Sequence, residues 1–410
     1  MHDDRSPEIA EHLVPHPAHS AHSAHPAAER DLGFVLTGGG ARGAYQVGVL
    51  RWIARHWPDL NAPILTGVSA GAVNIAKLAA HHGTFRQAVD ELTGLWTELT
   101  PAKVFRVDAG TMLKTSTRWG FRLMSGGTGG PSNVRGFLDT TPLRELLEEV
   151  LVPVNGRISG IDYNLARGTL KAVALIATSY TTGQTVSFVQ GRNVTPWIRP
   201  QRRTVLTDLT VDHVMASAAL PMFFPAVRVG DMWYGDGGIR LAAPLSPALH
   251  LGANRILAIS TRYDRTQVES DAPNVVGYPP PAQVLGVLLN AVFLDLVDQD
   301  AVRLERLNHL LEELPPDKRE GMRPVDLLVV RPSRDLGRLA AEFEPQLPKA
   351  FRFMTRGLGT RETKSPDLLS MLMFQPDYIS RLIEIGEADA EARRDKIVRL
   401  METEEPEAAA

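Results

Sequence analysis

Short apolar runs recur along this chain, separated by longer stretches in which apolar residues return at helical spacing. The first run, at 31–37, carries Leu32-Gly33-Phe34-Val35-Leu36 without a charged interruption, as a strand covered on both faces requires. An amphipathic helix is predicted over 44–57, a second apolar strand over 63–66, and a helix-like run over 72–80. Further on, 170–179 and 185–189 read as strands joined by Thr181-Thr182-Gly183-Gln184, a hairpin signal, and 254–261 and 325–331 as two more strands. Strands alternating with helices predict an α/β fold, with a mostly parallel sheet between helical layers and its carboxyl-end loops gathered at one crevice. Residues 1–30, rich in Ala, Pro and His and without apolar period, are expected to be disordered. An α/β domain over 31–262 and a mainly helical region over 263–410, containing the strand at 325–331, complete the organisation.

Glycine punctuates these runs at chemically telling places. After the first strand comes Gly38-Gly39-Gly40-Ala41-Arg42-Gly43, opening a helix. Unpaired N–H groups and the positive end of the helix dipole make such a loop an anion site. Gly38, Gly40 and Gly43 also fit the dinucleotide-binding pattern G-x-G-x-x-G. That reading needs an acidic residue at the end of the second strand, roughly 20 residues on. The second strand ends instead in Thr66, and Asp59 lies before it, so an oxyanion hole fits better. Gly67-Val68-Ser69-Ala70-Gly71 then stands between a strand and a helix, the setting in which G-x-S-x-G forms a nucleophile elbow. Two glycines around a serine also make ordinary flexible turns. In the elbow reading, Gly67 and Gly71 remove the Cβ atoms that would clash, Ser69 is the nucleophile, and the N–H of Ala70 joins the glycine loop around a negative oxygen.

A serine nucleophile needs a base, and the twelve histidines are poorly placed to supply one. Six stand in the N-terminal segment, His56, His81 and His82 at predicted helix ends, and His213 at the start of another helix. In the Ser…Asp…His order of α/β-hydrolases only His250 and His309 remain, both inside helical patterns. Asp236 is the better partner. It lies in Trp233-Tyr234-Gly235-Asp236-Gly237-Gly238, where an aromatic strand end meets two turn glycines, although an Asp-Gly pair alone is an ordinary turn.

Taken in order, the G-G-G-x-R-G loop, the G-x-S-x-G elbow and the D-G-G turn resemble the patatin-like phospholipase family. Ala216-Ser217-Ala218-Ala219-Leu220-Pro221, Phe223-Phe224-Pro225, Pro244-Leu245-Ser246-Pro247 and Leu251-Gly252-Ala253 extend the resemblance over about residues 32–262, which then form the catalytic domain. It implies a three-layer α/β/α fold with a mostly parallel central sheet and a helical C-terminal extension. It also implies a Ser-Asp dyad without histidine, carried by Ser69 and Asp236. Gly39, Gly40 and Arg42 match the family's oxyanion loop, with Gly38, Gly43 and Ala70 completing the anion-binding set and Gly67, Gly71, Gly237 and Gly238 shaping the turns. Arg42 has two readings, a local salt bridge holding the loop or a contact to a lipid phosphate. The implied activity is hydrolysis of fatty-acyl esters of phospholipids or related lipids through an acyl-serine, with no cofactor. The alternatives are an acyltransferase using the same acyl-serine and a silent lipid-binding or regulatory protein, against which the presence of both Ser69 and Asp236 counts. A carboxylate with an ordinary pKa near 4 is a weak base for an alcohol, so the dyad depends on a desolvated site, and such a site favours esters over amides.

Composition narrows the setting. A net charge of −3 gives no basic field for nucleic acid, and the absence of cysteine removes disulfides, thiol catalysis and cysteine-bound metal. The first thirty residues contain charges and prolines where an apolar signal core would stand, so a cytoplasmic protein with transient contact to membrane lipid is expected. Nothing in the sequence fixes the oligomeric state. Two stretches bear on substrate access. Residues 103–137 interleave Lys114, Arg118, Arg122 and Arg135 with Trp119 and Phe121, as a lipid interface or a surface loop would. The apolar stretch 283–297 is too short to span a bilayer; it reads as a buried core helix or, more sharply, as a lid over the crevice.

Overall fold

The computed structural model describes residues 31–106, 110, 117, 124, 136–293 and 296–402. The expected disordered segment 1–30 and the side chains of Lys114, Arg118, Trp119, Phe121, Arg122 and Arg135 lie outside them. Leu32–Leu36 (β1), Ile64–Val68 (β2) and Ala172–Ser179 (β3) are buried along their whole length, which is why their sequences show no polar alternation. Thr185–Gly191 (β4), Ile198–Arg199 (β5), Arg202–Leu206 (β6), Val227–Val229 (β7), Met232–Asp236 (β8), Arg255–Ile259 (β9) and Asp326–Val330 (β10) complete one sheet. Its order is β10-β9-β1-β2-β3-β4-β6-β5, with β8 pairing β3 and β7. From β10 to β3 every neighbour is parallel. Beyond β3 the sheet is mixed, beginning with the antiparallel β3–β4 hairpin.

Side-chain alternation along these strands builds two cores on opposite faces. Phe34, Leu36, Leu65, Leu257 and Ile259 enter one core, with Gly43–His56 (α1) and Ala70–Ala80 (α2) packed over them. Val35, Ile64, Ile256 and Ala258 enter the other, covered by the Ser246–His250 and Leu296–Glu313 helices. The result is a three-layer α/β/α arrangement.

β2 begins one residue later than the apolar pattern suggests and continues through Gly67 to Val68, because Gly67 still pairs with Leu36 on one side and Leu175 on the other. Residues after 262 are woven into the same body. β10 extends the sheet beside β9, and the Pro376–Glu391 helix crosses α1 so closely that a Cβ on Gly48 would collide with the Ile383 carbonyl oxygen.

The reading of 283–297 as a fully buried helix needs correction. Leu289 of the Pro281–Phe293 helix is buried, but Val284, Val287 and Leu288 are 48%, 56% and 56% exposed. Pro281–Glu313 has the length and composition of a membrane-crossing helix, its most apolar 18 residues reaching a mean hydropathy of 1.5. Val297, Ala301, Leu304 and Leu311 within that stretch are nevertheless buried among protein side chains.

Candidate active site

The register of β3 brings the site together. Its residues 172–176 pair with β2, and 177–179 pair with β8, which runs the opposite way. β4 occupies the other edge of β3, so β2 and β8 share one edge and meet end to end. Val68 stands opposite Ile176 and Asp236 opposite Ala177. Ser69, the first residue beyond β2, therefore arrives at the last residue of β8.

Ser69 adopts φ 56° and ψ −127°, a conformation a side-chain-bearing residue holds only where its surroundings impose it. Its N–H donates to Ser217 Oγ at 3.1 Å, and Ser217 Oγ donates to the Ile176 carbonyl at 2.6 Å. Its carbonyl accepts from Ala72 at 2.9 Å, starting α2. A Cβ on Gly71 would collide with the Leu36 carbonyl oxygen, so the elbow admits only glycine there. The stretch containing Ser217 also holds Asp236, whose N–H donates to the Ala219 carbonyl at 3.0 Å.

The Asp236 carboxylate is fully buried. One oxygen accepts from Gly238 N–H at 2.9 Å, while Oδ2 has no partner of normal hydrogen-bond geometry among the described residues. Burial pushes its pKa up to about 7, against the opposing pull of the Ser69 hydroxyl and the Gly238 amide. A carboxyl poised near neutrality has the combination of protonation state and proton affinity that a general base would need. Hydrolysis of a soluble p-nitrophenyl ester should accordingly fall about tenfold per pH unit below pH 7 and level off above it. A flat profile between pH 5 and 7 would remove Asp236 from the role of base.

Gly39 and Gly40 turn the glycine loop at φ 145° and 57°. Among the described residues the N–H groups of Gly39, Gly40 and Ala70 donate no backbone hydrogen bond, as an anion-binding set requires. A buried polar chain fixes the helices behind them. Trp96 Nε1 donates to Asn74 Oδ1 at 2.7 Å, Asn74 Nδ2 to Gln46 Oε1 at 2.9 Å, and Gln46 Nε2 to the Thr37 carbonyl at 2.7 Å. Gly40, Ser69 and Ala70 line a narrow apolar cavity walled by Leu95, Leu99, Leu146, Phe224 and Phe374. Arg42 is 3% exposed and bound to Asp367 at 2.5 Å and to Ser370 at 2.6 Å, an arrangement that matches the salt-bridge reading.

No histidine reaches this cavity among the described residues. His213 is buried against Phe188, with Nδ1 2.9 Å from Thr210 Oγ1 and its pKa pushed down to about 4 by burial. His250 stacks on Trp197, and His309 lies 73% exposed beside Glu313.

A family model for patatin-like phospholipase matches residues 34–249, just over half of the chain. The chain belongs to that family. Similar solved structures include VipD from Legionella pneumophila, at 14% identity over 90% of this chain and 67% of that one, with a TM-score of 0.39. Human GIVD cytosolic phospholipase A2 has 11% identity over 91% of this chain and 60% of its own, with a TM-score of 0.44. ExoU, in its heterodimeric complex with SpcU from the type III secretion system of Pseudomonas aeruginosa, has 16% identity over 90% and 76%, with a TM-score of 0.29. The chain thus spans about three fifths of the human protein's length. No curated protein matches it in a sequence search.

In this patatin-like protein, the sequence shows Ser217 inside a family motif without showing its task, and reasoning from sequence misses Asp367, Ser370 and Asn290, which lie beyond the matched domain, altogether. The first is readable only from the three-dimensional register. The others lie in helices remote in sequence, where an Asp, Ser or Asn is indistinguishable from a cap or a solvated face.

Proposed function

We propose that this patatin-like protein hydrolyses fatty-acyl esters of phospholipids or related lipids through an acyl-serine on Ser69. The observation that carries this reading is the end-to-end meeting of β2 and β8, which sets Ser69 against a buried Asp236 poised near neutral pH. As Ser69 Oγ attacks the ester carbonyl, Asp236 accepts the hydroxyl proton. The carbonyl oxygen becomes an oxyanion received by the glycine loop and the Ala70 amide at the positive end of α2. Collapse breaks the carbon–oxygen bond, and Asp236 returns the proton to the leaving alcohol. Water then gives its proton to Asp236 and attacks the acyl-serine. The second collapse reprotonates Ser69 and releases the fatty acid.

The apolar walls around Ser69 suit an acyl chain rather than a headgroup. The exposed Val284, Val287 and Leu288 offer apolar surface for a transient contact with lipid.

The experiment is reaction with a fluorophosphonate probe, with peptide mapping, alongside fatty-acid release from phosphatidylcholine vesicles. One adduct on Ser69, absent from Ser69→Ala, and acid release lost in the same variant are expected. Undiminished release by Ser69→Ala would overturn the acyl-serine. Acyl transfer to an added alcohol exceeding acid release would make the protein a transferase.

A further inference from the structure

The oxyanion loop is held from a part of the chain that the family match does not reach. A Cβ on Gly40 would collide with the Met371 carbonyl oxygen, so the loop lies directly on the Asp367–Leu372 helix. Two residues on, Arg42 sends its guanidinium into the same helix. Its Nε donates to Ser370 Oγ at 2.6 Å and its Nη2 to Asp367 Oδ1 at 2.5 Å. The other Asp367 oxygen accepts from Asn290 Nδ2 at 2.6 Å, so the carboxylate is oriented from two sides. Ser370 Oγ in turn donates to the Asp367 carbonyl at 2.7 Å. The opposite end of the loop is fixed separately, by Thr261 Oγ1 donating to the Gly38 carbonyl at 2.6 Å.

We propose that Asp367 is a positioning residue for the reaction: through Arg42 it sets where the glycine-loop amides stand, with Ser370 and Asn290 as its supports. This rests on the acyl-serine reading of the site. A planar guanidinium held at two points cannot rotate freely, and Arg42 is separated from Gly40 by Ala41 alone, so fixing one fixes the other. Gly39 and Gly40 have no side chains with which to hold themselves, and their backbone angles belong to regions that glycine alone visits easily. Oxyanion stabilisation depends on donors placed within a fraction of an ångström, so a loop this permissive needs an external fixture. The Arg42–Asp367 ion pair, with the arginine buried, supplies one.

The test compares kcat and KM of the full chain on a soluble p-nitrophenyl ester. Asp367→Asn keeps the side-chain shape and removes the charge. Its kcat is expected to fall about 10- to 100-fold with KM held within about twofold, the pattern of an interaction made only in the transition state. The double variant Arg42→Gln/Asp367→Asn is expected to be no slower than Arg42→Gln alone, because the two residues act as one unit. Thermal melting of each variant separates this from general loss of structure. If Asp367→Asn fails to fold, Ser370→Ala and Asn290→Ala are read in the same way, with a few-fold fall in kcat expected of each. Wild-type kcat in a folded Asp367→Asn, a loss carried by KM, or losses that multiply in the double variant would each overturn the proposal. Turnover surviving in Ser69→Ala would instead refute the acyl-serine, whatever happens at Asp367.

Discussion

Ser69→Ala is expected to lower ester turnover by about 10⁴- to 10⁶-fold, the scale seen when a serine nucleophile is removed from an otherwise intact site. The loss follows from chemistry rather than from folding. Alanine keeps the Cβ, so the backbone at φ 56° remains just as unfavourable, and the Ser69 amide still finds Ser217 Oγ. A side chain in this region costs on the order of 1–3 kcal/mol, which the strand-turn-helix junction must absorb. Ser69→Gly offers the complementary measurement. It should be equally inactive and yet melt higher than Ser69→Ala, because glycine accepts the elbow's angles without that cost, offset only partly by its greater freedom when unfolded. If the two variants melt alike, the elbow stores no strain. If Ser69→Ala retains more than about a hundredth of the activity, another nucleophile must be sought.

Much of this arrangement is legible in the sequence because its parts are local. A glycine run after an apolar strand, a G-x-S-x-G sequence between strand and helix, and an aromatic strand ending in D-G-G each state their own backbone geometry. The parallel core of the sheet is legible for a similar reason, since β1, β2, β3 and β9 are largely apolar and strands of that kind are covered on both faces. What brings Ser69 to Asp236 is not local. It depends on β3 running three residues past its pairing with β2 on the shared edge, leaving room for β8 to enter from the opposite direction. Strand lengths are visible in a sequence only to within a few residues, so family resemblance suggests this end-to-end meeting while periodicity alone does not reach it. The Pro281–Phe293 helix shows the converse failure. Its apolar residues run almost all round, which reads as burial, while the fold covers only the side carrying Leu289. Arg42 is intermediate: its place in the glycine loop marks it as important, but its partner Asp367 lies 325 positions away in a helix whose sequence carries no comparable signal.

Asp236→Asn is expected to lower turnover by about 10²- to 10⁴-fold, the range a positioned general base supplies, and at the same time to stabilise the protein above neutral pH. The two effects share one cause. Burial raises the Asp236 pKa from its ordinary 3.8 to about 7. Below pH 3.8 the carboxyl is protonated in both folded and unfolded chains, and its burial is tolerated in full. As pH rises towards 7 the unfolded chain releases this proton while the folded chain keeps it, so stability falls over that window and levels off once the folded form ionises as well. The total is on the order of 4 kcal/mol for a shift of this size. Asparagine preserves an acceptor for the Gly238 amide and never ionises, so it escapes this penalty. Melting curves of wild type and Asp236→Asn should therefore diverge at about pH 8, with the variant higher, and converge as pH is lowered towards about 4. An inactive variant that melts below wild type at the higher pH would mean that the charged carboxylate is better stabilised than its burial implies, and that Asp236 is ionised well below neutrality. An active one would detach the carboxylate from the chemistry altogether. The expected combination, a protein made firmer by losing its function, is what a desolvated base should produce, because the same burial that strains the folded state would be what lets the carboxylate take a proton from Ser69.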